Sequence, residues 1–590
     1  MNRNIQRKLF LIFAIGILFL CGCVRQGDIQ PVEKESSADA KLTDISNNLL
    51  VHDSNNQESV VALYLTVRRG NKADGTDYTW DEVNSYSTDY YIEQGIDRYA
   101  VEAIVQFGNE QGLIAGEFGY GSKIPNATVQ IRGAKSSKAQ QKSYKISLKS
   151  NAGSWRDQMT IALNKHIADG LRFRNKLGFD LASDIPNIIA LRTQFVHLYV
   201  KDETKDAPDT VFHDYGLFTQ VEQPNKSFLQ RQSLDRNGNL YKAVDFTFAR
   251  YRDALHLETD AAFERAKFET VLESKGDNNH TKLFSLLDEL ADETIPIQNI
   301  FKNNFNADNY FTWLAFQILT DNVDSNKSNF YLYSSSNDHI WRFIPWDMDA
   351  ILSEHETVRT KNSTLAQNRS LGFEYGLSNY WNSILHRRIL SEAVYRKMLD
   401  EKIEEVYRHL SHDTVDKWVS FYRDSIKPLV YAEPDAQFAS LTAEMYDEVA
   451  GKLAEEVDRA YELYRLSLQK PSPFRLKTPN REASGIKLSW EPAISFTGKE
   501  ITYSVEVAKD YLFEDNIIVQ SGISNTELLI DAPSEGQYFT RISAVDADGN
   551  FRYSMDRYDD VYDTTHYGIK CFYVLNDGLI IADDYYPIQY

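Results

Sequence analysis

Asp321-Asn322-Val323-Asp324-Ser325-Asn326-Lys327-Ser328-Asn329, followed by Ile344-Pro345-Trp346-Asp347-Met348-Asp349, decides how this chain is read. Between the two clusters lies Phe330-Tyr331-Leu332-Tyr333, a short apolar run of the kind that forms a buried strand. Phosphoryl transfer calls for this set of groups: one carboxylate to orient the attacking hydroxyl, and an amide with a second carboxylate to hold the magnesium ions that carry nucleotide phosphates. Asp324 fits the first role; Asn329, Asp347 and Asp349 fit the metal side. Asp and Asn are also ordinary turn residues, so Asp-x-x-x-x-Asn alone says little; the later Trp-Asp-x-Asp gives it content. An EF-hand calcium loop does not fit, because no Gly occupies the sharp turn and no Glu closes the loop. Ile344, Pro345 and Trp346 are expected to restrict water near Asp347. That strengthens its attraction for Mg²⁺ and raises its pKa when no metal is bound.

Working outward, Val60–Val67, Tyr99–Phe107, Ala127–Arg132 and Ser143–Lys149 read as strands, with residues 70–98 as loop. Ala168–Ser183 has helical periodicity closed by Pro186. Gln194–Val200 and Gly216–Val221 read as a strand pair, ending in Glu222-Gln223-Pro224-Asn225. Helices dominate from about residue 260, including Thr281–Leu290 and Ala307–Leu319 with Asn306 as N-cap, and again from Trp381 to about Leu468. Residues 354–380 read as a long loop. Pro471-Ser472-Pro473 marks a linker, after which short strands separated by turns suggest a β-sandwich. Trp490, Gly536-x-Tyr538 and Asp546-x-Asp548-Gly549-Asn550 resemble a fibronectin type III module over 474–552, leaving 553–590 unplaced.

At 590 residues the chain is too long for one ordinary domain, and 42% hydrophobic content supports well-packed cores. A formal charge of −21 with no basic stripe argues against nucleic acid as a partner. Arg3, Arg7 and Lys8 precede an apolar run from Leu9 to Leu20, and Leu20-Cys21-Gly22-Cys23 resembles a bacterial lipobox. The expectation is a signal peptide over 1–23, lipidation at Cys23, a flexible tether over 24–58, and membrane anchoring outside the cytoplasm. Apart from Cys21 and Cys23 only Cys571 exists, so the mature chain has no internal disulfide framework and no zinc-type cluster.

Four pieces together resemble the spore coat protein H (CotH) kinase family, related to atypical secretory-pathway kinases. They are Ile131–Ser137 with Lys142-Ser143-Tyr144-Lys145; Arg174-Asn175-Lys176-Leu177; Gly216–Gln223 with Asn239-Leu240-Tyr241-Lys242; and the two acidic clusters. The resemblance runs from about residue 60 to 425. Ala134 and Gln141 depart from the family pattern in the loop and at the head of the lysine strand. It implies an α+β, two-lobed kinase-like fold over 59–470, β-rich to about 225 and helical after. It further implies that Asp324 is the catalytic Asp and that Asn329, Asp347 and Asp349 hold Mg²⁺ or Mn²⁺. Arg132, Ser136, Lys142, Lys145, Glu222, Gln223 and Lys242 would then contact ATP, with Lys142 preferred to Lys145 as the nucleotide lysine. The expected activity is transfer of the ATP γ-phosphate to Ser or Thr of a surface protein or of the chain itself. The alternative is a weak or inactive kinase-like scaffold on the cell surface.

Overall fold

Alternating apolar residues dictate a closed sheet in the first lobe. The computed structural model describes residues 60–353 and 372–583, so Cys23, the leader and the tether lie outside the described residues. Val60–Arg68 (β1), Val101–Asn109 (β2), Gly112–Leu113 (β3), Ala127–Arg132 (β4), Ser143–Leu148 (β5), Thr160–Asn164 (β6), Thr193–Asp202 (β7) and His213–Val221 (β8) pair in the order β1-β7-β8-β6-β5-β4-β2-β3. β1 pairs with β7 in parallel and with β2 antiparallel, which closes the sheet on itself. Leu63, Leu65, Val67, Val105, Phe107, Ile131, Ile146, Leu163, Val196 and Phe218 fill the interior. The opposite parity of β4, β5 and β6 places Arg132, Lys145 and Asn164 on the outer face, where Lys145 stands between Gln130 and Ala162 in register.

Two short helices, Trp80–Ser85 and Thr88–Gln94, occupy the stretch expected to be loop. Thr79 and Glu82 form a capping box, and Ser87 caps the second helix. Both are too short to show periodicity, so their caps were the only signal. Trp80 closes the barrel by stacking on Tyr144 at 5.0 Å.

The second lobe begins with Arg174–Ser183 (α1). The helix expected from Ala168 starts later because Asp169 accepts from the Leu171 and Arg174 backbone N–H groups, holding the preceding residues as a turn. Asn239–Ala243 (β9), Leu272–Ser274 (β10), Phe330–Ser334 (β11) and Arg342–Pro345 (β12) form a sheet ordered β10-β9-β11-β12. It packs with Ala307–Leu319 (α2), Ala393–His409 (α3), His412–Val430 (α4) and Leu453–Ser467 (α5) around one large core that also takes Phe195 and Val221 from the first lobe. The clear helical expectation at 307–319 matches α2, led by Asn306, which accepts from the Asn309 N–H.

The C-terminal segment is all β. Asn480–Glu482 (β13), Gly485–Ser489 (β14) and Glu527–Ile530 (β17) make a three-stranded sheet. Ile501–Ala508 (β15), Asn516–Ile523 (β16), Gly536–Asp546 (β18), Phe551–Tyr553 (β19), Ile569–Val574 (β22) and Ile580–Ala582 (β23) make a larger one, and Arg557–Asp559 (β20) pairs with Thr565–Tyr567 (β21). Trp490, Tyr503, Ile542 and Phe572 share their core. The stretch left unplaced after residue 552 therefore supplies β22, which pairs with β18 from Gly536↔Val574 to Arg541↔Ile569. No helix of the described residues is long and apolar enough to cross a membrane.

Candidate active site

The two acidic clusters meet at a pair of turns. The Trp346 N–H donates to the Asn329 carbonyl at 3.1 Å. Asn329 (φ 59°) and Asp347 (φ 51°) both adopt the left-handed conformation, which Asn and Asp tolerate best among residues with a side chain. Asp347 is half-buried, and the Asn175 amide of α1 lies 3.5 Å from its Oδ1. Asp349 Oδ2 is 3.1 Å from His166 Nδ1.

Met348, between the two carboxylates, packs directly on α1: a Cβ built on Gly178 would lie 2.5 Å from Met348 Sδ and 2.8 Å from its Cβ. Arg174 Nε donates to the Leu352 carbonyl at 3.3 Å, and the Leu352 N–H donates to Thr320. The start of α1 thus seats the whole turn against the end of α2.

The electrostatics pull the two carboxylates apart. Burial, then the charge of Asp349, pushes Asp347 up to about 6, against His166, Lys242 and Arg132, which act to lower it. For Asp349, burial is outweighed by the hydrogen bond and charge of His166, and its pKa falls. Two carboxylates crowded in a desolvated site are what a divalent cation neutralises.

Asp324 is exposed on the short helical turn Val323–Asn326. Ser328 Oγ donates to its carbonyl at 2.8 Å, leaving the carboxylate facing solvent. Ser325 Oγ bonds the Asn322 carbonyl at 2.6 Å and fixes the turn.

Basic groups from both lobes oppose this pair. Lys242 on β9 bonds Glu273 at 3.0 Å, and Lys275 bonds the same carboxylate at 2.6 Å. Burial, then the charges of Lys275, Arg98 and Arg132, lower the pKa of Lys145, which places this lysine in the cluster. Arg132 bonds Asn164, and Asp347 is the carboxylate that most favours its charge.

The two lysines of the expected nucleotide strand lie in different surroundings. Lys142 Nζ donates to the Ser137 carbonyl at 2.7 Å and staples the loop, while Lys145 faces the charged cluster. Ser136 turns back to the Arg132 carbonyl at 3.4 Å, across Gly133 at φ 86°. Glu222, expected beside the nucleotide, is fully buried and clamped by Arg192 at 2.9 Å and Arg231 at 2.7 Å. Its carboxylate ties Arg192, just before β7, to Arg231, beyond β8, and is not free for a ligand. Gln223 Nε2 bonds the Val221 carbonyl at 3.3 Å.

Several site residues escaped sequence reasoning. Asn175 lay inside a quoted motif without a role, and its buried Oδ1 has no partner. His166, Arg98, Glu273 and Lys275 carried no sequence signal. Among the described residues no group of three or more His, Cys, Asp or Glu side chains forms a ready cation cage. The donors nonetheless suit Mg²⁺: hard oxygens from Asp347, Asp349 and Asn329, with the Asn175 amide nitrogen 3.5 Å from Asp347, and phosphates and water expected to complete the shell.

The family described as CotH kinase protein matches residues 129–463. The chain is 25% identical over 313 residues to the inner spore coat protein H of Bacillus subtilis (strain 168), a match covering 52% of this chain and 78% of that protein. Among solved structures it is similar to the Helicobacter pylori proinflammatory kinase CtkA at 11% identity and a TM-score of 0.26, covering 55% of this chain and 94% of that one.

Proposed function

Because the chain belongs to the CotH kinase protein family, we propose that it is a protein kinase that transfers the γ-phosphate of ATP to a Ser or Thr hydroxyl of a surface protein or of itself. One observation carries the reading. Asp347 sits on a left-handed turn whose Trp346 N–H bonds the Asn329 carbonyl, and Lys242 from the second lobe and Arg132 from the first favour its charged form against burial and Asp349.

In this reading Asp324 orients the acceptor hydroxyl and takes its proton as the new O–P bond forms. The bond from the γ-phosphorus to the bridging oxygen breaks, and ADP leaves. Asp347, with Asn329 and Asp349, would hold Mg²⁺ or Mn²⁺, which when bound neutralises the charge of the phosphates. His166 orients Asp349, and α1 presents Asn175 to Asp347. Lys145 and Arg132 on the outer barrel face would meet the phosphates, with Lys242 across from them. Export and anchoring through Cys23 belong to the same proposal and rest on the leader pattern; labelling with a radioactive fatty acid tests them. The C-terminal β segment is read as a fibronectin type III-like module, supported by a three-stranded sheet facing a larger one around Trp490.

The test is incubation of the purified protein with labelled ATP and Mg²⁺ or Mn²⁺. Transfer by the parent and a loss of about 10²–10⁴-fold in Asp324→Ala support the proposal. Equal labelling by the parent, Asp324→Ala and Asp347→Ala overturns it.

A further inference from the structure

The loop that carries Asp324 does not stand on the kinase-like lobes alone. Asn379 Nδ2 donates to the Val323 carbonyl at 2.9 Å, and Asn326 Nδ2 donates to the Asn379 carbonyl at 3.2 Å. The Tyr380 hydroxyl lies 2.9 Å from Ser325 Oγ. Three residues of the loop's turn, Val323, Ser325 and Asn326, are therefore gripped by the short segment Gly376–Tyr380.

That segment is held in turn by a single residue of the C-terminal β segment. Arg552 on β19 is 1% exposed. Its Nη2 donates to Ser378 Oγ at 2.9 Å, Nη1 donates to the Gly372 carbonyl, and Nε donates to the Pro471 carbonyl at 2.6 Å. One planar guanidinium thus joins the linker, the bracing segment and its own strand. Ser467, at the end of α5, backs the same segment by accepting from the Leu377 N–H at 3.1 Å. More distant contacts keep the β segment seated: Arg475 bonds Asn382 at 2.6 Å, and Phe496 packs on Trp381 at 5.6 Å.

We propose that the C-terminal β segment is part of the catalytic apparatus, with Arg552 a positioning residue that fixes the Asp324 loop through Ser378 and Asn379. The claim rests on the kinase reading for its effect on turnover, but the coupling itself is independent of activity. The grip falls on Val323, Ser325 and Asn326, which flank Asp324 and stop short of Asn329, so the loss of Arg552 acts first on the acceptor side of the reaction. A shift of about 1 Å in a reacting group can lower a rate by about 10²-fold, so turnover is the sensitive quantity. A segment that merely added stability would move binding and turnover together, or neither.

The experiment uses the full chain carrying Arg552→Met, Ser378→Ala, Asn379→Ala, or Arg552→Met with Asn379→Ala. Amide hydrogen exchange is followed over residues 321–329 and, as an internal control, over the barrel strands β1–β6. Turnover and the KM for ATP are measured alongside. The expected result is faster exchange at 321–329 with the barrel unchanged. Turnover should fall about tenfold or more with the ATP KM within about twofold, and the loss in the double variant should be less than the sum of the two single losses. Arg552→Lys, which keeps one donor, should recover part of the loss. Where Arg552→Met does not fold, Ser378→Ala, which removes one hydroxyl, carries the test. Unchanged exchange at 321–329, exchange raised equally in the barrel, or additive losses in the double variant would overturn the proposal. A parent without transfer activity would defeat the kinase reading, while the exchange result would still decide the coupling.

Discussion

Gly178 marks how finely one residue sets the metal-side turn. Its missing side chain lets Met348 lie against α1, and Ile351 Cδ1 would be 3.0 Å from an added Cβ. Gly178→Ala is therefore expected to cost about 1–3 kcal/mol by overpacking. It should also lower phosphate transfer, because Asp347 and Asp349 flank the displaced Met348. Met348→Ala in the same chain should recover part of the stability; denaturant midpoints and transfer rates check both, and an unaltered Gly178→Ala enzyme would contradict the seating. At this scale the sequence was informative where chemistry and spacing coincide. Asn329 and Asp347 were legible through the spacing of carboxylates and amides on either side of one strand, whereas their left-handed backbone is seen only in the fold. Lys142 and Lys145 could not be ranked that way, since spacing along a strand does not say which face meets the other lobe. His166 was invisible for a similar reason: its partner Asp349 lies 183 residues away.

Elements from the two lobes are tied by a buried ion pair in the loop after α4. Asp435 accepts from Lys165 and Gln141 at 2.8 Å each and from the Leu217 N–H at 2.6 Å. The approach needs glycine at 216, where an added Cβ would meet Asp435 Oδ2 at 2.0 Å and φ is +77°. Burial already pushes Lys165 down to about 8 in spite of Asp435, so the lysine depends on its partner. Asp435→Ala should destabilise the protein by about 3–5 kcal/mol by stranding that charge, and Lys165→Met in the same chain should regain part of it. A thermal or urea midpoint that does not move would show that the latch holds nothing. Strands with alternation, such as β4 and β5, were legible from sequence, as were the apolar run of β1 and α2 with its N-cap. The short helices at 80–94 and the strand β6 were not, because each is too brief for periodicity and owes its form to caps or neighbours.

For the molecule as a whole, acid sensitivity reports on the core of the second lobe. His386 is fully buried among the rings of Tyr310, Trp313, Phe343 and Tyr380, with the Tyr310 hydroxyl 2.8 Å from Nδ1. Burial pushes its pKa down to about 3 from 6.5. Between those values the unfolded chain binds a proton that the folded chain refuses. The group's contribution is therefore complete above pH 6.5 and drains away as the pH falls toward 3, by about 1.4 kcal/mol per pH unit. Stability measured from pH 7 to 4 should decline less steeply in His386→Gln than in the parent; parallel curves would contradict this. The strands after residue 552 show why the end of the chain resisted reading: β22 joins a sheet through β18 partners 28 to 38 positions earlier, and its Tyr-rich neighbours carry little alternation.

The proposed kinase function requires both lobes to contribute to one metal–nucleotide cleft. Calorimetric titration of ATP into the purified chain, with and without Mg²⁺, tests it most directly. Binding that needs Mg²⁺, disappears in Asp347→Asn and weakens in Lys145→Met is the predicted result. Binding that survives both substitutions and a metal chelator, or no binding by the parent, would contradict it.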